Sequence, residues 1–463
     1  MKKLIILNLL CCFGTLLMAN LTLREAIDMS IDNNKNLQMA KEEVKIAEYN
    51  YKDVRGQLFP QLSLVANLKH SVTNLSDNVM QGIQAGRTAL DPDEEGADSI
   101  ARGFLARSFP QETTEENTLA GQIQFQQLIF SGGKLINGLR VLDRVKTMQE
   151  KRYELEMQNM IIIVVNAYFD LYLAQEGLNI QQQALQSAEN HLANVQNLFS
   201  QGLVSEYDKL RAELEVFRLY PEVLNFENAR NLAEENFKRI TGFTGVTELN
   251  PSLSEKASLY SDLSINLDEA IQTAQQKRVE LYLINLMTDI YGVQLKAEKS
   301  NFLPNMVLQA DLTAFNTANE FGNGDYGNSR SIGLAFQMPI FTGLSNSSKT
   351  LRAKHELRKA EYDAINTTEL INLEIRQTWQ TFYQSLKYLE SQQKNLGLAE
   401  RALTIAQARF ENQTGIQLEV FDAQIQYNSA QISLSQARIN IIKAYYSLNK
   451  ALGNNLNTLI GDI

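Results

Sequence analysis

Residues 21–27 read LTLREAI, and residues 265–271 read INLDEAI. At a constant shift of 244, Leu23, Glu25, Ala26 and Ile27 recur as Leu267, Glu269, Ala270 and Ile271. The same shift carries Leu37 onto Leu281, Lys52 onto Lys296, Pro60 onto Pro304 and Leu64 onto Leu308. From Phe125 onward the shift becomes 211, pairing Phe125 with Phe336, Phe130 with Phe341, Gly132 with Gly343 and Gly242 with Gly453. That second register holds without a gap for more than a hundred residues. The chain is written twice, and a repeat on this scale decides the architecture before any single element is read. The change of shift locates a 33-residue insertion in the first copy, between His70 and Leu119.

Within each copy the order is helix, strand, strand, very long helix, return helix. Thr22 with Glu25, and Asn266 with Glu269, have the spacing of a capping box, which satisfies free backbone N–H groups at a helix start. A helix opening there must end before Pro60, or before Pro304 in the second copy, because proline pushes the preceding residue out of the α region. Period-two alternation follows. Leu62, Leu64, Ala66 and Leu68 alternate with Ser63, Val65, Asn67 and Lys69, and Leu119, Ile123 and Phe125 with Gln122, Gln124 and Gln126. Met306, Leu308, Ala310 and Leu312, then Ile332, Leu334, Phe336 and Met338, repeat the pattern.

No proline lies between Pro110 and Pro221 or after Pro339. An interior proline costs a helix about 3 kcal/mol, so such spans suit long helices. A helix of ~65 residues would be on the order of 100 Å long. The expected layout is a signal peptide at 1–19 and a first repeat at 20–242. That repeat holds strands at 61–70 and 119–130, an acidic outer loop at 71–118, a long helix at 132–200 and a return helix at 205–242. A linker at 243–264 leads to the second repeat, 265–453, with strands at 305–315 and 330–341, a long helix at 343–411 and a return helix at 417–453. A tail, 454–463, ends the chain.

The leader reading rests on the basic tip Met1-Lys2-Lys3, the apolar stretch from Leu4 to Met18, and the small residue Ala19. Cys11 and Cys12 both fall inside it, so the exported chain would have no thiol for a disulfide or a zinc site. Leu10 and Cys11, which precede the two cysteines, are not the small residues that lipid attachment favours. A formal charge of −10 argues against a nucleic-acid groove. His70, His191 and His355 are far apart and lack HExxH spacing, and no glycine-rich phosphate loop follows a strand. No enzyme activity, cofactor or metal site is expected.

Four strands of ~10 residues, apolar on one side and polar on the other, suit a lipid-exposed wall with a wet inner face. Four cannot close a cylinder, and open edges are not tolerated in hydrocarbon, so several chains must share one barrel. The helices carry a thin apolar stripe among Gln, Asn and Ala, which suits side-by-side coiled-coil packing. The alternative is a periplasmic coiled-coil scaffold with a small soluble sheet.

Several motifs resemble the TolC family of outer-membrane efflux proteins. They are the duplicated LxEAI starts, Phe59-Pro60-Gln61-Leu62, Pro339-Ile340-Phe341-Thr342-Gly343, Phe199-x-x-Gly202-Leu203 with Asp208, and Glu419-Val420-Phe421-Asp422-Ala423-Gln424. The resemblance covers nearly the whole exported chain in order. It implies a mixed α and β fold in which three chains share a 12-stranded outer-membrane barrel above a periplasmic α-barrel. It also implies a passive exit duct for tripartite efflux or type I secretion, partnered by a periplasmic adaptor, an inner-membrane transporter and outer-membrane lipid.

By the same likeness Glu419, Asp422 and Asp208 would ring the periplasmic entrance with carboxylates. The tips Gly202, Leu203, Val204, Gly415 and Ile416 would meet the adaptor, and Pro60, Pro304, Pro339, Gly132 and Gly343 would join barrel to helices. Acids at helix starts also suit the helix dipole with no gate at all. Two departures stand out: Gln413 where members carry glycine, and Gly415 where some carry a locking arginine. Pro221 has no second-copy counterpart, Ile432 standing there, so a kink is expected near Tyr220. The acidic run Asp91 to Asp98 reads as a solvated loop.

Overall fold

The structure is a computed structural model that describes residues 21–73, 81–82, 85, 114–245, 249, 265–318, 323, 325–412 and 414–459. The leader at 1–19, the acidic run at 91–98, Gln413 and nearly all of the 243–264 linker lie outside those residues. The chain divides into two compact units, 48–143 with 290–357, and 1–47 with 144–289 and 358–463.

The first of these units holds a four-stranded antiparallel sheet in the order β1 (Gln61–Thr73), β2 (Thr114–Ser131), β3 (Asn305–Ala318), β4 (Tyr326–Gln337). One face carries the rows Leu62–Phe125–Ala310–Ile332 and Leu64–Ile123–Leu312. The other carries Ser63–Gln124–Asp311–Ser331 and Gln61–Gln126–Gln309. On the apolar face Leu64 is 76% exposed and Ile332 78% exposed, so the row of large hydrophobics is uncovered. β1 and β4 are free edges, and β2 bulges between Leu128 and Phe130.

The strands are longer at their turn ends than alternation indicates. β1 runs to Thr73 rather than 70, β2 starts at Thr114 rather than 119, and β3 runs to Ala318 rather than 315. β4 starts at Tyr326 rather than 330. A hydrogen-bonded ladder needs only backbone partners, so it continues where the apolar pattern has faded. At its other end β4 stops at Gln337 rather than 341, just before Pro339, which has no N–H to give a ladder.

The second unit is helical. Its long elements are α3 (Lys134–Ser200) from residue 144 onward and α7 (Ser345–Glu411) from residue 358 onward, each helix having 67 residues in all, with the return helices α4 (Glu206–Thr241) and α8 (Gln417–Ala451). The starts of α4 and α8 differ by 211, as do those of α3 and α7, so the duplication read from residue identities is a duplication of structure. The core takes Leu23 and Ile27 near the N-terminus, Ile161, Val165 and Phe169 of α3, and Phe237 of α4. Ile375 and Phe382 of α7 and Ile439, Ile442 and Tyr446 of α8 complete it. One window of α3 is apolar enough to cross a membrane, but its Ile161, Val164, Val165 and Phe169 are buried in this core. A core helix passes the same compositional test.

The first helix of each copy is divided in two, where the sequence reads as one. α1 (Leu23–Asn33) and α2 (Lys35–Gly56) flank an extended Asn34, and α5 (Leu267–Lys277) and α6 (Val279–Lys299) flank an extended Arg278. Asn34 and Arg278 are 244 residues apart, so the break is duplicated too. Asn34 Oδ1 accepts from Leu37 N at 3.1 Å, capping the new helix. Gly242 and Gly453, both at φ 73°, pack on these breaks: a Cβ there would stand 2.9 Å from Asn33 Cβ and from Arg278 N respectively.

Of the two copy starts, only α1 forms the full capping box. Thr22 and Glu25 bond reciprocally, whereas Asn266 Oδ1 accepts from Asp268 N, one residue earlier than the box requires. α4 continues helically through Pro221. A four-residue helix, α9 (Leu456–Leu459), lies in the stretch read as tail.

Candidate functional site

The two helical turns of the second unit carry the residues singled out by sequence. α3 ends in a Schellman motif: Gly202 at φ 73° donates to Phe199 O at 2.9 Å, and Leu203 N to Leu198 O at 3.0 Å. The chain then re-enters helix at Ser205, whose Oγ accepts from Asp208 N at 3.2 Å. The Asp208 carboxylate answers by accepting from Ser205 N at 3.1 Å and from Ser205 Oγ at 2.6 Å. Asp208 is therefore committed to its own helix start.

The second turn closes differently. Arg409 O accepts from Thr414 N at 2.8 Å, Thr414 Oγ1 at 3.1 Å and Gly415 N at 3.0 Å. Gly415 leaves no room for a side chain, because a Cβ would lie 2.9 Å from Arg409 Cβ and 3.1 Å from a Glu419 oxygen. Arg409 Nη1 lies 3.1 Å from Glu419 Oε2, but the N–H does not aim at it, so this buried oxygen has an ion-pair partner and no hydrogen bond. Asp422, one turn on, is exposed. Of the three acids proposed for a ring, Asp208 caps a helix, Glu419 faces an arginine, and Asp422 stands in solvent.

The turns meet at a cavity of about 850 Å³. Leu203, Val204 and Gly415 line it; Gly202, Ile416 and the three acids are not among its lining residues. Leu203 and Ile416 are exposed apolar residues at the turns. The cavity walls are rich in amides, including Asn190, Asn194, Gln407 and Gln424.

His191, which has no counterpart motif, is the residue the sequence reading missed. Gln417 Nε2 donates to His191 Nε2 at 3.0 Å, and the ring lies 5.5 Å from Phe410 and 5.3 Å from Phe421. Burial lowers its pKa, so the neutral imidazole that accepts from Gln417 is the stable form. A signal was available: at shift 211 His191 falls on Ala402, a large polar side chain in one copy against a small apolar one in the other.

The junction residues lie in the sheet-bearing unit. Pro60 and Pro304 precede β1 and β3, and Pro339 follows β4. Gly132 has φ 61° and Gly343 φ 59°. A Cβ on Gly132 would stand 2.6 Å from Leu303 Cβ, whereas Gly343 faces open space. Leu344 holds a positive φ of 66° without being glycine. Ile340, 94% exposed, and Phe341 form an uncovered apolar end beside β4. Among the described residues no cluster of His, Cys, Asp and Glu could hold a metal ion.

The family model described as outer membrane efflux protein matches residues 26–243 and 270–454, once per copy. The chain is similar to the outer membrane protein TolC of Vibrio cholerae serotype O1, at 22% identity over 356 residues, covering 76% of this chain and 80% of that protein. Its fold is similar to that of CusC, with a TM-score of 0.75 at 16% identity, covering 94% of this chain and 92% of that one. It is also similar to the CmeC outer membrane channel of Campylobacter jejuni, with a TM-score of 0.73 at 17% identity over 93% of this chain and 85% of that one.

Proposed function

We propose, of a chain that belongs to the outer membrane efflux protein family, that three copies assemble into a passive duct through the outer membrane and periplasm. The protein is an outer-membrane efflux channel component, and the assembly and gating that follow are our reading. The observation that carries it is the open four-stranded sheet with one uncovered apolar face and one polar face. Such a face needs apolar surroundings, which lipid supplies, and such edges need pairing with another chain. Three sheets supply twelve strands. At about 4.8 Å between strands and about 40° of tilt, these close a ring about 24 Å across between backbones.

A second feature supports association of the helices. On α4, Tyr207, Leu210, Leu214 and Phe217 are spaced three and four residues apart and are between 50% and 75% exposed. That is the spacing of a coiled-coil seam awaiting another helix. The scaffold alternative would need the sheet's apolar face covered, and Leu64 and Ile332 are open.

In the duct, the helical turns form the periplasmic entrance. Leu203 and Ile416 offer apolar contacts to a periplasmic adaptor, which links the duct to an inner-membrane transporter. Asp422, repeated by three-fold symmetry, is the main contributor to an acidic ring, with Glu419 restrained by Arg409. The duct makes and breaks no bond; selection of cargo lies with the transporter. Planar-bilayer recording on purified full-length protein, with cross-linking of the same sample, tests this. Discrete pores from a cross-linked trimer are expected; a non-conducting monomer in the soluble fraction would overturn it.

A further inference from the structure

We propose that Asp311 gives the strand-built part of the pore its preference for cations, an inference that rests on the duct reading above. Asp311 lies halfway along the 14-residue β3, on the polar face, in the row Ser63–Gln124–Asp311–Ser331. Gln122 Nε2 donates to its Oδ1 at 3.2 Å and Ser331 Oγ to its Oδ2 at 3.2 Å. These bonds confirm the side on which the carboxylate stands and hold it there. Each oxygen accepts one of them and keeps further lone-pair capacity for water or a cation.

Asp311 has no ion-pair partner among the described residues. The neighbouring positions on its face are amides and hydroxyls: Gln309, Thr313, Gln124, Gln126 and Ser329. Arg330 pairs opposite Leu312 and so belongs to the apolar face. Lys69, on the polar face, sits in the row of Thr118, six residues along β2 from Gln124. Six residues of strand span about 20 Å, more than twice the Debye length of about 8 Å at physiological salt. The charge at mid-strand is thus uncompensated.

In a closed ring, three such carboxylates lie at one level of a water-filled bore whose walls are otherwise neutral there. Fixed charge of one sign along the wall of an aqueous bore raises the concentration of hydrated counter-ions within about a Debye length of that wall and lowers that of anions. The chemical class selected is the hydrated mono- or divalent cation, and no coordination by the protein is needed.

The test is the reversal potential of single pores under a KCl gradient, using full-length protein with Glu419→Ala and Asp422→Ala so that the entrance acids do not mask the barrel. This background is expected to keep a preference for potassium, and adding Asp311→Asn to lower the permeability ratio at least about threefold. Asp311→Glu should retain the ratio, which separates charge from damage to the sheet. An unchanged reversal potential with Asp311→Asn in conducting pores would overturn the role of Asp311 alone. Failure of unmutated protein to conduct would instead overturn the duct and this inference with it.

Discussion

The Tyr168 hydroxyl donates to the Leu21 carbonyl oxygen at 2.9 Å, and 211 residues later Trp379 Nε1 donates to the Ile265 carbonyl oxygen at 2.8 Å. Leu21 and Ile265 are themselves 244 residues apart. Both bonds therefore tie the long helix of a copy to the residue that opens that copy, and both copies make the tie with an aromatic donor. Tyr168 is buried, and burial raises its hydroxyl pKa, so it remains a protonated donor.

Removing one donor should leave a carbonyl unsatisfied. Tyr168→Phe is expected to cost about 1–3 kcal/mol, because its site is buried. Trp379→Phe should cost less of this kind, since Tyr383 Oη also donates to Ile265 O, at 3.3 Å. Thermal unfolding of the purified variants in detergent measures both, and equal losses would show that Tyr383 offers no relief.

Glycines at positive φ separate by surroundings. Gly202→Ala meets only the left-handed penalty of about 1–2 kcal/mol, because nothing lies within 4 Å. Gly242→Ala and Gly453→Ala meet that penalty and an overlap with the helix breaks, so each is expected to destabilise more than Gly202→Ala. The ranking is read from midpoints of unfolding.

Acid should act in two windows. Burial alone would raise the Glu280 carboxyl, but the Arg278 guanidinium at 2.9 Å outweighs it and holds the pKa below the usual range. Its stabilisation is full above about pH 4.3 and is lost as pH falls through the lowered folded value. His191 is also depressed, by burial. Its neutral form is favoured on folding, so stability at the turns is full above about pH 6.5 and declines as pH falls through the lowered folded value. Glu215 and Glu411 line the same cavity and would moderate the effect. Limited proteolysis at the turns across pH 4–7 should show His191→Phe removing the upper window and leaving the lower one.

At the entrance the acids are unequal. Asp422→Ala is expected to weaken block by divalent cations more than Glu419→Ala does, since Glu419 already faces Arg409 at 3.1 Å. Arg409→Ala should strengthen block by freeing Glu419. Block measured in bilayers on the three variants decides this, and identical block in all three would remove these acids from gating.

Much of the candidate site was legible as position and little as interaction. Gly202 and the helix start at Ser205 were readable because their bonds are local, spanning three to five residues. The same locality shows why Asp208 suits a cap as well as a gate: Ser205-x-x-Asp208 is itself a capping spacing. The tie of His191 to Gln417 spans 226 residues and leaves no local trace beyond the mismatch with Ala402.

By itself the sequence determined the duplication, the amphipathic strands and the absence of helix breakers in the long spans. These follow from period and composition, which depend on neighbours along the chain. Only the tertiary structure decided that Asn34 and Arg278 interrupt their helices, because each break is held by a glycine arriving from the far end of its copy. It also decided that Glu419 meets an arginine while Asp422 does not. Both acids are one turn apart on one helix, and which one Arg409 reaches, ten residues back across the turn, depends on how that turn closes and how the two helices pack.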